Sequence, residues 1–348
     1  MAVKPNNFVA GFEPPAYLRE LYDCRLCEWR CSVNRLEGGK GVCGVGIPVV
    51  ASSMLHPAPP ASYDAFLVGC NFSCLSCQNW MVANYPFTKV SSVEGYYSPQ
   101  DWAAKAVKAL NSFEAGLIGA DRLFFTGGEP TCSLPWVEEV VRQAKKIDKN
   151  IKINFDTNGF LTKESLKKVL GFVTSITYDL KAYNNDVHQA LTGAPVEPVL
   201  RNAEQIARYA KEKLWEFRIL VIPGVHESEV GDLCEFVAGL DPGLPVAFLA
   251  FRPNFVLENH PGATRKLMER CLEIARRKGL ENVAWSGLPD IPPGPGFNPK
   301  DLAGKGEEVL MGYAKKAGCT QRTRLCGACA SRLAGGCKLR KHIPRRTT

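Results

Sequence analysis

Between residues 64 and 280 the chain alternates short apolar runs with longer stretches whose apolar residues recur every three to four positions. The runs at 65–69, 122–126, 151–155, 175–180, 216–222 and 246–251 are rich in Val, Ile, Leu and Phe, which predicts strands. The stretches at 99–117, 134–146, 163–170, 199–211, 227–239 and 264–279 carry the period of amphipathic helices. Six such β–α repeats with short connections predict an α/β fold, a parallel sheet with helices outside. Six units fall short of a closed eight-stranded barrel. The expectation is therefore a partial (β/α)6 TIM-type barrel, open enough for a large substrate to reach the C-terminal ends of its strands.

The flanks lack this period. Residues 1–60 form a Cys-rich segment that ends in the linker His56-Pro57-Ala58-Pro59-Pro60. The barrel is expected over 61–286, and residues 287–300 are a Gly/Pro-rich boundary. One helix is expected at 301–317, and 287–348 closes with a second Cys-rich segment and a basic tail.

Composition changes this picture in three ways. With 348 residues, 45% hydrophobic and 22% charged, the chain has the balance of a globular protein with a sizeable core. No apolar run approaches the length that spans a bilayer, and MAVKPNNFVAGFEPP has no hydrophobic signal core. Those two observations predict a cytoplasmic protein without membrane contact. Fourteen cysteines are many for such a compartment, where clustered thiols hold metal more often than they form disulfides. Three fall outside the clusters, Cys132, Cys234 and Cys271, and are expected as buried thiols. The net charge of +8 is concentrated at the end: residues 310–348 hold ten Lys or Arg and no acid. A run such as Lys338-Leu339-Arg340-Lys341 suits RNA or an acidic protein face, with a solvated end as the plainer reading.

The N-terminal set, Cys24, Cys27, Cys31 and Cys43, has spacing C-x2-C-x3-C-x11-C around the turn Gly38-Gly39-Lys40-Gly41. Four thiolates on so short a segment suit zinc, a rubredoxin-like iron or an iron–sulfur cluster. The C-terminal set, Cys319, Cys326, Cys329 and Cys337, suits an auxiliary cluster or a zinc staple. The third set, Cys70, Cys74 and Cys77, follows the first barrel strand as C-x3-C-x2-C. Three thiolates on one face of a four-iron cubane leave one iron open to a ligand, whereas a zinc knuckle would need a distant fourth ligand.

The ends of the later strands carry unusual residues in succession: Thr126-Gly127-Gly128-Glu129-Pro130, Asp156-Thr157-Asn158-Gly159, Asp179-Leu180-Lys181 and Leu220-Val221-Ile222-Pro223-Gly224. Taken singly, Asn158-Gly159 is a turn signal, Asp179 and Lys181 make an ordinary ion pair, and His188 caps or packs. Taken together with C-x3-C-x2-C, the succession resembles the radical S-adenosylmethionine (radical SAM) superfamily. Within it the chain is similar to the activating enzymes of glycyl-radical enzymes, of which the pyruvate formate-lyase activator is the type. Cys77-Gln78-Asn79-Trp80 and the N-terminal C-x2-C-x3-C look closer still to a branch of uncharacterised activator homologues. The resemblance covers roughly residues 20–260.

The resemblance implies roles for particular residues. Cys70, Cys74 and Cys77 would ligate a 4Fe-4S cluster whose open iron chelates the amino and carboxylate groups of SAM. Gly127, Gly128 and Glu129 would bind the methionine end. Asp156, Thr157 and Asp179 would line a cation site, and Lys181 would pair with the carboxylate. Ile222 and Pro223 would pack near the adenine. Two departures stand out: Ser76 where the superfamily usually has an aromatic, and Phe251-Arg252-Pro253-Asn254 where the activators place a histidine against the nucleoside, with Arg252 as its replacement. The implied activity is reductive cleavage of SAM to a 5′-deoxyadenosyl radical that abstracts hydrogen from a protein or peptide-like substrate. A reductant such as ferredoxin or flavodoxin would supply the electron. The basic tail motivates a second reading, modification of RNA or a nucleotide cofactor. A zinc-stabilised nucleic-acid binding module without catalysis is a third, and it leaves the GGEP and DTNG succession without a reason.

Overall fold

A computed structural model describes residues 14–85 and 93–317. The C-terminal set Cys319, Cys326, Cys329 and Cys337 and the basic tail lie outside the described residues. The strands are β1 (Val50–His56), β2 (Ser62–Leu67), β3 (Arg122–Gly127), β4 (Lys152–Thr157), β5 (Ser175–Asp179), β6 (Leu214–Val221), β7 (Val246–Ala250) and β8 (Val283–Ser286). They follow one another in sheet order β1 to β8, the sequential order of a partial TIM-type barrel. β1 pairs antiparallel with β2, while β2–β3, β3–β4, β6–β7 and β7–β8 pair in parallel.

The six expected strands are β2 to β7. Two further strands flank them. β1 takes in His56, which the Pro-rich pattern had assigned to a linker; its sequence Val-Ala-Ser-Ser-Met-Leu-His buries only its first residues, so its alternation is faint. β8 is four residues long with no buried position. The helices are α1 (Trp80–Ala83), α2 (Pro99–Leu110), α3 (Phe113–Ile118), α4 (Leu134–Ile147), α5 (Lys163–Phe172), α6 (Asn185–Thr192), α7 (Glu197–Tyr209), α8 (Glu229–Leu240), α9 (Arg265–Arg277) and α10 (Gly306–Lys316). The single helix expected at 99–117 is two, because Ser112 leaves the helical conformation and caps α3 through a bond from Ala115 N. The helix expected at 301–317 is likewise a 3-10 turn and then α10.

The chain divides into two compact units, Met1–Asn71 with Asn79–Ile176, and Phe72–Gln78 with Thr177–Thr348. In the first, β3 is buried at every position, as a central parallel strand covered on both faces must be. Trp102 of α2 and Trp136 of α4 seat those helices on it: Trp102 lies 5.6 Å from both Phe125 and Trp136, ring centre to ring centre. The indole nitrogens are satisfied by Ser53 Oγ at 3.0 Å and Tyr97 O at 2.9 Å. In the second unit, β6 alternates buried and outward positions, and Tyr178 packs on Phe217 with its hydroxyl donating to Val199 O at 2.6 Å. Among the described residues no helix is long and apolar enough to cross a membrane.

Candidate active site

Within the first unit, the Gly-Gly pair is locked backbone to backbone against the start of the cysteine loop. Gly128 N donates to Leu67 O at 2.8 Å, and Glu129 N donates to Gly69 O at 2.9 Å. Gly127 has φ of 118°, and a Cβ there would sit 2.2 Å from Leu67 N. A Cβ on Gly128 would sit 1.9 Å from Gly69 O. Only glycine allows this approach. Asn79, two residues past Cys77, donates its amide to Gly127 O at 3.1 Å.

Glu129 turns inward rather than toward an open cleft. It is 1% exposed, and its Oε1 accepts from Thr131 N and Thr131 Oγ1 and, at 2.8 Å, from Thr157 Oγ1. Its Oε2 accepts from Asn158 N at 2.8 Å. The carboxylate thus staples the Asp156-Thr157-Asn158-Gly159 turn to the GGEP loop. Burial pushes its carboxyl up to about 7, against donors that favour the charged form. Asn158, stapled in this way, reaches Asn71 Oδ1 at 2.7 Å and Cys70 Sγ at 3.8 Å. Asp156 is half-buried and accepts from Thr126 Oγ1 at 2.7 Å. Asp64 of β2 is a buried acid that the sequence pattern did not single out; burial pushes it up to about 6, with Asp156 adding to the rise.

Within the second unit, the residues around Cys74 hang from the C-terminal end of α6. Ser73 N donates to Thr192 O at 2.9 Å, and Leu75 N donates to Leu191 O at 3.0 Å. These are carbonyls that a helix end leaves without intrahelical partners. Asn184 caps the other end, accepting from Asp186 N and Val187 N, and Gly193 closes α6 in the left-handed conformation. His188 of α6 is fully buried edge-on to Phe72, with Nδ1 against Ala194 O at 2.7 Å. Burial lowers its pKa to about 4, so it is a neutral packing residue.

Lys181 Nζ and Asp179 Oδ2 form an ion pair at 2.8 Å. Burial works against the lysine's charge, but Asp179 and the Cys74 and Cys77 sulfurs hold it above the ordinary lysine range. His226, absent from the sequence reading, is buried and bridges two loops: Ile222 N donates to its Nδ1 at 3.1 Å, and its Nε2 lies 2.9 Å from Lys181 O. The ring therefore fixes Ile222 and Lys181 together; its signal was only its place four residues after Ile222. Pro223 O is held in turn by His260 Nε2 at 2.8 Å. Arg252, by contrast, is exposed.

The remaining candidates are the N-terminal thiols, all in the first unit. The segment is tied by Cys24 N to Val33 O and Ser32 N to Cys24 O, and Val42 N points at Cys31 Sγ. Burial raises Cys27 and Cys31, and the neighbouring N-terminal sulfurs add to the rise. Cys132 is buried as expected but not isolated: its carbonyl accepts from Arg35 Nη1 of the N-terminal segment at 2.8 Å. Cys234 and Cys271 are buried thiols, both pushed up to about 12 by burial. Among the described residues, no three His, Cys, Asp or Glu side chains stand close enough to grip a metal ion as they are.

Residues 65–237 match the Radical SAM superfamily model, and the chain carries a radical SAM domain there. An uncharacterised protein of Methanocaldococcus jannaschii is 27% identical over 273 residues, 75% of this chain and 76% of that protein. The pyruvate formate-lyase-activating enzyme of Staphylococcus epidermidis is 27% identical over 194 residues, 53% of this chain and 71% of that enzyme. Among solved structures, a domain of the pyruvate-formate lyase-activating enzyme from Bacteroides vulgatus is 21% identical, with TM-score 0.41, covering 48% of this chain and 100% of that domain.

Proposed function

We propose that this chain is a radical SAM oxidoreductase of the activating-enzyme kind, acting on a protein or peptide-like substrate. The observation that carries it is the backbone lock of Gly128 and Glu129 onto Leu67 and Gly69, which joins the GGEP loop to the cysteine loop. The residues fit the group the family uses. Two buried polar atoms beside the cysteine loop, Asn71 Nδ2 and His188 Nε2, have no partner among the described residues.

Cys70, Cys74 and Cys77 would hold a 4Fe-4S cluster through three irons. Bound there, the cluster would supply one-electron reduction of SAM, with a ferredoxin or flavodoxin as the electron source. The chain's own residues bind and orient. Gly127 and Gly128 bring backbone to the methionine end, and Glu129 fixes Thr157 and Asn158 from behind. Asp156, Thr157 and Asp179 would face a cation, and Lys181, held charged, would pair with the SAM carboxylate. Ile222 and Pro223, fastened by His226 and His260, would meet the adenine, with Arg252 beside the nucleoside. Cys24, Cys27, Cys31 and Cys43 are assigned to a second metal site, and Cys319, Cys326, Cys329 and Cys337 to a third. Metal analysis after anaerobic reconstitution tests the assignment: at least about four irons per chain are expected, and zinc alone would overturn it.

A further inference from the structure

Arg35 lies in the spacer between Cys31 and Cys43, and the fold buries it at 2% exposure among the N-terminal thiols. Its Nε donates to Val45 O and Gly46 O, each at 2.9 Å. Its Nη1 donates to Cys132 O at 2.8 Å and points at Cys24 Sγ at 3.6 Å. Those partners are three carbonyls and a sulfur, none of them a carboxylate. Nη2 has no partner among the described residues. A guanidinium stays charged in any protein environment, and a buried charge without compensation costs several kcal/mol. The groups around it able to carry the opposite charge are the sulfurs of Cys24, Cys43 and Cys132. Cys132 sits in the 3-10 turn Pro130–Ser133 that directly follows Glu129.

We propose that Arg35 is the buried counter-charge of a thiolate-bound metal site formed by Cys24, Cys27, Cys31 and Cys43. This rests on the assignment of those four cysteines to metal. Four thiolates around a divalent ion, or around a cubane of charge +2, leave a net charge of about −2. Such a charge in a dry site needs a fixed cation beside it, as Arg35 is placed to be. Donors next to ligand sulfurs orient and tune them, and their loss costs about 10–100-fold in metal affinity. Because Arg35 also holds Cys132 O, the site packs against the back of the GGEP loop.

The test uses the full chain with Cys70, Cys74, Cys77, Cys319, Cys326, Cys329 and Cys337 replaced by serine, so that retained metal reports the N-terminal set. Cobalt with thiolate-to-metal absorption would identify a single-ion site, and recovered iron with sulfide a cluster. No metal of either kind would overturn the four-cysteine assignment itself. If metal binds, Arg35→Met should weaken its retention against a chelator at least about tenfold, and Arg35→Lys should restore most of it. Equal retention in Arg35→Met and the parent would overturn the role of Arg35 while leaving the cysteine assignment intact. Should the serine background not fold by circular dichroism, the same Arg35→Met and Arg35→Lys comparison in the otherwise native chain, read as total metal per chain, decides between these outcomes.

Discussion

Cys74→Ala is expected to abolish release of 5′-deoxyadenosine, on the order of a thousandfold or more below the native chain, because it removes a ligand and not merely a neighbour of one. The backbone on both sides of Cys74 is fixed independently of its sulfur, by Ser73 N on Thr192 O, Leu75 N on Leu191 O and Val256 N on Leu75 O. The side chain is half-buried and fills no core. Truncation should therefore change stability by less than about 1 kcal/mol. Loss of activity with an unchanged melting curve would mark the residue as a ligand, and the iron content should drop by about four per chain. Native iron content with native product release would remove the three-cysteine loop from the mechanism.

Gly128→Ala is expected to act through the fold and the site together. Its Cβ would lie 1.9 Å from Gly69 O and 2.6 Å from Gly69 C. Both neighbours are backbone, so relief requires the GGEP loop to part from the cysteine loop and breaks the bond from Glu129 N to Gly69 O. Overpacking of this severity costs roughly 3 kcal/mol. SAM affinity, measured by equilibrium dialysis on reconstituted protein, should fall by about 100-fold, which corresponds to roughly 2.7 kcal/mol. Native affinity together with native stability would show that the two loops are not locked as described.

These effects show which parts of the molecule the sequence made legible. The strands β2 to β7 were readable because each is a short apolar run closed by turn residues. β1 and β8 were not, since each has too few buried positions to impose a period. Motif spacing located the GGEP and DTNG turns but not the staple between them. That Glu129 spends both carboxylate oxygens on Thr131, Thr157 and Asn158 depends on contacts 28 and 29 residues apart. His226 and Arg35 were invisible for the same reason. A histidine four residues past Ile222 and an arginine between two cysteines have no local signature; their roles come from the loops that the fold brings to them. Cys132 looked isolated along the chain, yet its carbonyl is held by Arg35, 97 residues away.

The central claim is that the three-cysteine loop and the GGEP loop together serve to cleave SAM reductively. Anaerobically reconstituted native protein, reduced with dithionite and given SAM, tests it most directly through chromatographic quantification of nucleoside and amino-acid products. The expected result is 5′-deoxyadenosine and methionine in equal amounts, dependent on the reductant. Intact SAM from a protein that demonstrably holds a reduced four-iron cluster would contradict it.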